Sequence, residues 1–438
     1  MSNVQTGASR DAIDLDHFVF SSGSIGRLKV LDTIPVCAGD SFKMDMVGSF
    51  RLSPLRRGIV IDTHVDVFTF YVPHRHTYGQ AFVDLLKTGI PKTGTAPTLS
   101  SDACAVPDSF NAGYVCSFLG THHGGTDDAP FLPKYYYQSY LQIYNNFFKI
   151  PAEPDVATAL AALPPADLKD GFVCAQLDSI WTKPLPTQSQ TQSMFGTTGS
   201  GIDIMGLNAA YGVLNTQQER DYFMTRYREV VGSLGGSTHY DADNRPHLVM
   251  RSQFWASGEN SQGATQETLG QFQGSTQQTF VHSIPRFYVP EHGVMMTVAV
   301  PRFPVIHQSE RHYLVGKASL DYYDLANDPS LTGNRPPRDV PINNFFINGS
   351  GSNGNIKIAE GQWYRDHPSF VDRRYAELQG YPFLSKIGTN EHELAMCNSS
   401  DYDTMFQTKQ LGQWNAQIKS NVTCYRQIPT VRDSILTN

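Results

Sequence analysis

The chain has 438 residues, 40% apolar and only 17% charged, so it can bury a core beneath a surface built mostly from neutral polar groups. A formal net charge of −7, with a pI near 6.0, argues against a protein that grips nucleic acid over its whole surface, but is neutral about a container with positive charge on one face. No apolar run approaches the ~18 residues of a membrane-crossing helix, and the polar opening MSNVQTGASRD lacks the apolar segment of a secretory signal.

The first quarter of the chain reads as β-structure. Strand candidates fall at 28–31, 41–50, 58–61 and 65–72. The last of these, VDVFTFYV, is β-branched and aromatic almost throughout, which suits a strand covered on both faces. Pro73 ends it because proline has no N–H for the ladder. His74-x-His76 then places two imidazoles on one side of an extended segment, two ligands short of a zinc site. Six scattered cysteines, at 37, 104, 116, 174, 397 and 424, include no C-x-x-C pair and read as reduced, mostly buried thiols.

The middle of the chain reads as loops and helices. The Gly-, Pro-, Thr- and Asp-rich stretch 90–133 carries His122-His123 and Asp127-Asp128, a pattern of solvated turn residues more than of a cation site. Residues 134–149 put Tyr136, Tyr140, Ile143, Tyr144 and Phe147 at helical spacing, and Ile204, Leu207, Tyr211 and Leu214 make a second stripe. A third helix starts at the capping box Thr216-Gln-Gln-Glu219, stacks Phe223, Tyr227, Val230, Val231 and Leu234 on one face, and stops at Gly235-Gly236. Its polar side carries Arg220, Arg226 and Arg228. Arginines beside aromatics suit sequence-blind contact with single-stranded nucleic acid through phosphate pairing and base stacking. Inter-subunit salt bridges are the competing use for these and for Arg51, Arg56, Arg57, Arg245, Arg251, Arg373 and Arg374.

Asp241-x-Asp243-Asn244 opens like a calcium loop, but Pro246 occupies the position that needs glycine and Ser252 the position that needs glutamate. No nucleotide-binding, zinc-protease or nucleophile-elbow motif is present. Asp241, Asp243, Glu291 and Glu360 beside Trp363 can be nominated for the paired carboxylates of a glycosidase, but no spacing favours them over any other acids. Strand character returns at 279–289 and 294–303, joined by the turn Pro290-Glu291-His292-Gly293, and at 417–428, where Ile418, Ser420, Val422, Cys424 and Arg426 alternate with polar neighbours up to Pro429.

Strands near both ends with helices between fit one mainly β domain across 1–438: a single eight-stranded antiparallel jelly-roll barrel with long inserted loops containing several α-helices. The barrel strands are expected mainly from 25–80 and 279–430, with insertions across 81–278 and 304–410. At ~5–6 residues per strand the barrel itself is small. Its long excursions need packing partners, and sister copies of the chain are the obvious source.

Blocks along the whole chain carry a resemblance. They are MSNVQTG at 1–7, RLSPLRRG at 51–58, FTFYVPHRH at 68–76, IDIMGL at 202–207, QERDYFMTRY at 218–227, YDADNRP at 240–246, FWASG at 254–258, PRFYVPEHG at 285–293, Trp363-Tyr-Arg365, and TVRDSILT at 430–437. In this order they resemble the major capsid proteins of the Microviridae, tailless icosahedral phages with single-stranded DNA. The resemblance implies a structural protein rather than an enzyme, without cofactor or metal. It implies sixty copies assembling through pentamers into a T=1 icosahedral shell around a circular single-stranded DNA genome. Implied partners are internal and external scaffolding proteins, a spike protein, a small basic DNA-binding protein and host lipopolysaccharide. Assembly is expected in the host bacterial cytoplasm, with no membrane insertion and the virion as destination. The alternative reading of a jelly roll is a carbohydrate-active enzyme or a sugar-binding module.

Overall fold

The computed structural model describes residues 9–56, 62–79, 81–82, 85, 98–99, 101–103, 119, 131–149, 155–156, 171–174, 245–262, 272–303, 306–307, 311–326, 338–341, 344, 355–358, 383–384, 399–407, 409 and 412–428. Ten strands build its body. They are β1 (Ser9–Asp14), β2 (His17–Gly23), β3 (Lys29–Val36), β4 (Ser41–Leu52), β5 (Thr63–Pro73), β6 (His247–Ala256), β7 (Gly258–Gln262), β8 (Phe272–Tyr288), β9 (Gly293–Arg302) and β10 (Trp414–Ile428).

Two antiparallel sheets result. The first has the order β2–β10–β4–β8, extended by β7 beyond β8 and by β1, which continues the line of β2 along β10. The second has the order β3–β9–β5–β6. The chain changes sheet between β2 and β3, β3 and β4, β4 and β5, β6 and β7, β8 and β9, and β9 and β10. Eight strands with this alternation make a jelly roll, in agreement with the fold read from the sequence. The turn at 290–293 is therefore a crossing between sheets: Val289 N–H donates to Asp40 O at 2.9 Å on one side, and Gly293 pairs with Pro73 on the other.

The strands are longer than expected. β8 runs 17 residues and β10 runs 15. Pro285 has no N–H to give, and the β8–β4 register shifts between Ile284 and Phe287 to absorb it. Four strands, β1, β2, β6 and β7, lie outside the ranges expected for the barrel, β7 (like β6) within the stretch read as insertion. β1 and β2 lie before residue 25, because HFVF alternates too briefly to stand out from its polar flanks. β6 lies inside the stretch read as insertion, because HLVMRSQFWA mixes charged and aromatic residues on its outward positions. The strand candidate at 58–61 lies outside the described residues.

The core has two layers. Between the sheets lie Phe42, Met44, Met46 and Phe50 of β4, Phe280 and Ile284 of β8, Val65, Val67 and Tyr71 of β5, Met295 and Ala299 of β9, and Trp414, Ile418 and Val422 of β10. A second cluster covers the far side of the second sheet. There Phe68, Phe70 and Val72 of β5 and Val294, Met296, Val298 and Val300 of β9 meet helix α2 (Lys134–Ile143). β5 therefore has both faces buried, as its unbroken apolar run requires. A short α1 (His74–Tyr78) leads away from β5. α2 ends in a π-helical turn, Tyr144–Phe148, closed by the Lys149 N–H donating to Tyr144 O at 3.0 Å. That turn rotates the helix face. Tyr137, Leu141 and Phe148 join Tyr140, Ile143 and Tyr144 in the core, whereas Tyr136 and Phe147, expected in the stripe, are only partly buried.

Candidate functional site

His74 and His76 do not share a face of an extended strand; Pro73 ends β5 and both enter the single turn of α1, where residues two apart diverge. His74 is held against Phe82 and Tyr135, and burial with nearby His292 pushes its pKa down to about 4. Glu291, one of the glycosidase nominees, is taken by Arg75, whose Nε and Nη2 donate to its two oxygens at 3.1 and 2.9 Å. That pairing lowers the Glu291 pKa. Asp241, Asp243, Glu360, Trp363, His122, His123, Asp127 and Asp128 lie outside the described residues. Among the described residues no three His, Cys, Asp or Glu side chains gather as a metal site. Cys37, Cys174 and Cys424 are free thiols.

Three polar arrangements fix the frame. Inside the sandwich, His282 of β8 shares hydrogen bonds through Nε2 with Thr69 Oγ1 of β5 (2.9 Å) and through Nδ1 with Ser252 Oγ of β6 (2.8 Å). Thr69 also meets Thr297 Oγ1 of β9 at 2.8 Å. The chain of hydroxyls ties the two sheets together, and burial holds His282 neutral, with its pKa down to about 4. At the β6 side, Asp66 is buried and accepts from Arg251 Nη2 at 3.0 Å, with Arg302 Nη2 3.6 Å from its other oxygen. His64 beside it bonds Gln253 and stacks on Trp255 at 4.7 Å. At the opposite edge, Asp32 of β3 accepts from Ser420 Oγ at 3.1 Å and pairs with His17 Nε2 at 3.0 Å. The Asp32 hydrogen bond raises the His17 pKa to about 9.

The two outer faces of the sandwich differ. The second sheet is covered by α2. Among the described residues no helix covers the first sheet, and register places the outward side chains of β2, β10, β4 and β8 in rows. Phe18, Lys419, Val47 and Val281 form one row, and Phe20, Gln417, Ser49 and Thr279 form the next. Phe18 is 68% exposed and Phe20 76%. Asn415 and Arg51 stand beyond them, and towards the other end Tyr425 is capped by the Arg286 guanidinium, 5.4 Å above its ring. Among the described side chains this face carries the cations Lys43, Arg51, Arg286 and Lys419 and the carboxylates Asp14 and Asp45. Lys43 is engaged with Asp45 at 3.2 Å, and Asp14 accepts the Asp16 N–H at 2.9 Å. The Ser283 hydrogen bond, more than Lys43, lowers the Asp45 pKa.

Arg220, Arg226 and Arg228, the nucleic-acid contacts expected from the sequence, lie with their capped helix outside the described residues. Of the cations on the first sheet's outer face the sequence singled out only Arg51, because Lys43, Arg286 and Lys419 stand far apart along the chain. The one local signal was the pair Phe18 and Phe20, two residues apart in HFVF.

Comparison with known proteins completes the picture. The chain matches the family described as Capsid protein (F protein) over residues 2–201 and 196–436. It is 50% identical over 440 residues to Capsid protein F of Escherichia phage G4, covering 100% of both chains. It is 49% identical to the proteins of the same name from Escherichia phage alpha3, over 445 residues, and Enterobacteria phage phiK, over 444, again covering all of both chains.

Proposed function

This chain belongs to the Microviridae capsid protein (F protein) family and has a structural role in the virion, and from that premise we propose how it assembles and what it encloses. Sixty copies, gathered first as pentamers, close into a T=1 icosahedral shell around a circular single-stranded DNA genome. Closure needs heterologous contacts around several axes, and a finite container follows from the angles between them. Internal and external scaffolding proteins guide the pentamers, a spike protein completes the outer surface, and a small basic protein enters with the DNA. That protein neutralises the genome, which lets a shell of net charge −7 per subunit enclose DNA. Assembly takes place in the host bacterial cytoplasm, and the finished shell meets host lipopolysaccharide. Arg220, Arg226 and Arg228 contact the genome.

The observation that carries this reading is the full-length match at about half identity, with no stretch of either chain left over. The fold supports it: a jelly roll with one outer face covered by its own helix and the other left open is suited to a wall with two different sides. Negative-stain images of the chain expressed with its scaffolding partners test the proposal. Five-membered rings and closed shells are expected; a compact, protease-resistant monomer at every concentration overturns it. Replacing Arg220, Arg226 and Arg228 with glutamine should lower genome retention more than shell yield, and equal loss of both overturns that assignment.

A further inference from the structure

We propose that the pocket at the end of β5 binds a phosphate dianion, either the free ion or a phosphomonoester. The site goes beyond the shell reading and does not depend on it.

Three segments far apart in the chain meet there. β5 stops at Pro73 and the chain turns into α1, which carries Arg75 and His76. β6 pairs alongside, with Phe70 opposite Leu248 and Tyr71 opposite His247, so Arg245 and His247 arrive beside α1. Phe147, from the π-turn after α2, forms an apolar wall. The cavity they line is about 230 Å³, below the ~300–1,000 Å³ of sites for drug-sized ligands. Its scale suits a small ion.

Charge selects the kind of ion. Four of the eight lining residues are arginine or histidine and none is acidic, in a chain of net charge −7. Glu291 is outside the lining. Its two oxygens accept from Arg75 Nε and Nη2 at 3.1 and 2.9 Å, which sets that guanidinium in one orientation and offsets its charge. Arg245 supplies a second guanidinium. Gln142 Nε2 donates to His76 O at 2.8 Å and ties α1 to α2, and the His247 ring stacks on Phe287 with centroids 6.0 Å apart. The basic groups are therefore held in place before a ligand arrives, which lowers the ordering cost of binding. Donors brought from separate segments reach a bound ion from several sides. That matches a tetrahedral oxyanion better than a planar carboxylate, and guanidinium groups fork onto phosphate oxygens. A phosphomonoester carries close to two charges at pH 7, so it gains more here than a singly charged diester. The same positive groups turn away a metal cation, the other ligand that His74-x-His76 suggests.

Calorimetric titration of the full-length chain at pH 7 with inorganic phosphate, methyl phosphate and dimethyl phosphate tests the site. Saturable binding of inorganic phosphate is expected with a Kd of about 1 mM or below, and its absence overturns the proposal. Dimethyl phosphate, singly charged like a nucleic-acid linkage, should bind about tenfold more weakly; equal affinity overturns the assignment to a dianion. Methyl phosphate separates the two sources. Affinity equal to inorganic phosphate supports a monoester carried on a larger molecule, and a tenfold loss supports the free ion. Arg245→Gln should weaken phosphate binding about tenfold. Arg245→Lys should recover part of the loss, because it keeps the charge without the fork. Leu248 is 38% exposed at the mouth, so Leu248→Trp narrows the entrance without changing charge and should also weaken binding. Lys419→Gln removes an equal charge on the other sheet and should leave the affinity unchanged. Circular dichroism confirms the fold of each variant. Phosphate affinity that survives both Arg245→Gln and Leu248→Trp, or that falls equally in Lys419→Gln, overturns the site.

Discussion

Arg426, two residues before the end of β10, forks onto Asp40 at the crossing from β3 to β4. Its Nη2 and Nε donate to Asp40 Oδ2 at 2.8 and 3.0 Å. The same oxygen accepts the Cys37 N–H at 2.8 Å, and Asp40 is 1% exposed. The contact binds the end of β10 to the turn from β3 to β4 and raises the Arg426 pKa. Arg426→Ala leaves a carboxylate buried without its counter-charge and should cost about 3 kcal/mol, read by chemical denaturation. Arg426→Lys keeps the charge but loses the fork, and should recover only part of that loss.

His282 sets an acid limit. The unfolded chain takes up a proton below about pH 6.5, whereas the folded imidazole stays neutral down to about pH 4. Stability from this group is whole above pH 6.5 and falls as the pH drops towards 4, by on the order of 3 kcal/mol. His282→Gln removes the titration. Its thermal midpoint should be lower than the parent's at pH 7 and should vary less between pH 7 and pH 4.

His17 acts with the opposite sign. Its partner Asp32 favours the charged ring, so the folded pKa lies above the unfolded one, at about 9. Its contribution is complete below about pH 6.5 and disappears as the pH rises through 9. His17→Ala should lower stability at pH 6 and leave it nearly unchanged at pH 10, as measured by paired denaturation curves.

Gly48 is the narrowest point between β4 and its neighbours. A Cβ there would stand 2.8 Å from Gln417 O, 2.9 Å from Ile418 Cγ1 and 3.1 Å from the Phe280 ring. Gly48→Ala should destabilise by about 1–3 kcal/mol through overpacking, despite alanine's better backbone entropy. Phe280→Leu in the same chain should return part of the loss, which a double-mutant cycle detects.

Tyr140 secures the helix to the second sheet. Its hydroxyl donates to Leu28 O at 2.9 Å and accepts from the Phe172 N–H at 3.2 Å. Burial pushes the phenol pKa well up, so it remains protonated. Tyr140→Phe keeps the ring but strands both backbone groups, and should cost about 1–3 kcal/mol. Hydrogen exchange at Phe172 should speed up in the variant.

The parts of this fold that were legible share one property: their hydrophobic pattern decides the answer locally. The unbroken run in β5 required two covered faces and has them. The alternation from Ile418 to Cys424 assigned inward and outward sides correctly. β2 and β6 were missed because their outward positions carry Phe18, Phe20 and Trp255, so aromatic content and burial point in different directions. The helical stripe shifted at the π-turn, whose extra residue no periodicity announces. The open face was illegible for another reason. Lys43, Arg51, Arg286 and Lys419 become neighbours only through strand pairing, and pairing between distant segments is tertiary information.

The position of β4 at the centre of the first sheet also sets a timetable for synthesis. β4 is finished at Leu52, yet the strands that flank it begin at Phe272 and Trp414. A ribosome-bound chain therefore carries two bare β4 edges until β8 is made, and one until β10 is made. The first sheet closes only when β10 has been made, and until then a chaperone has an extended apolar ribbon to hold.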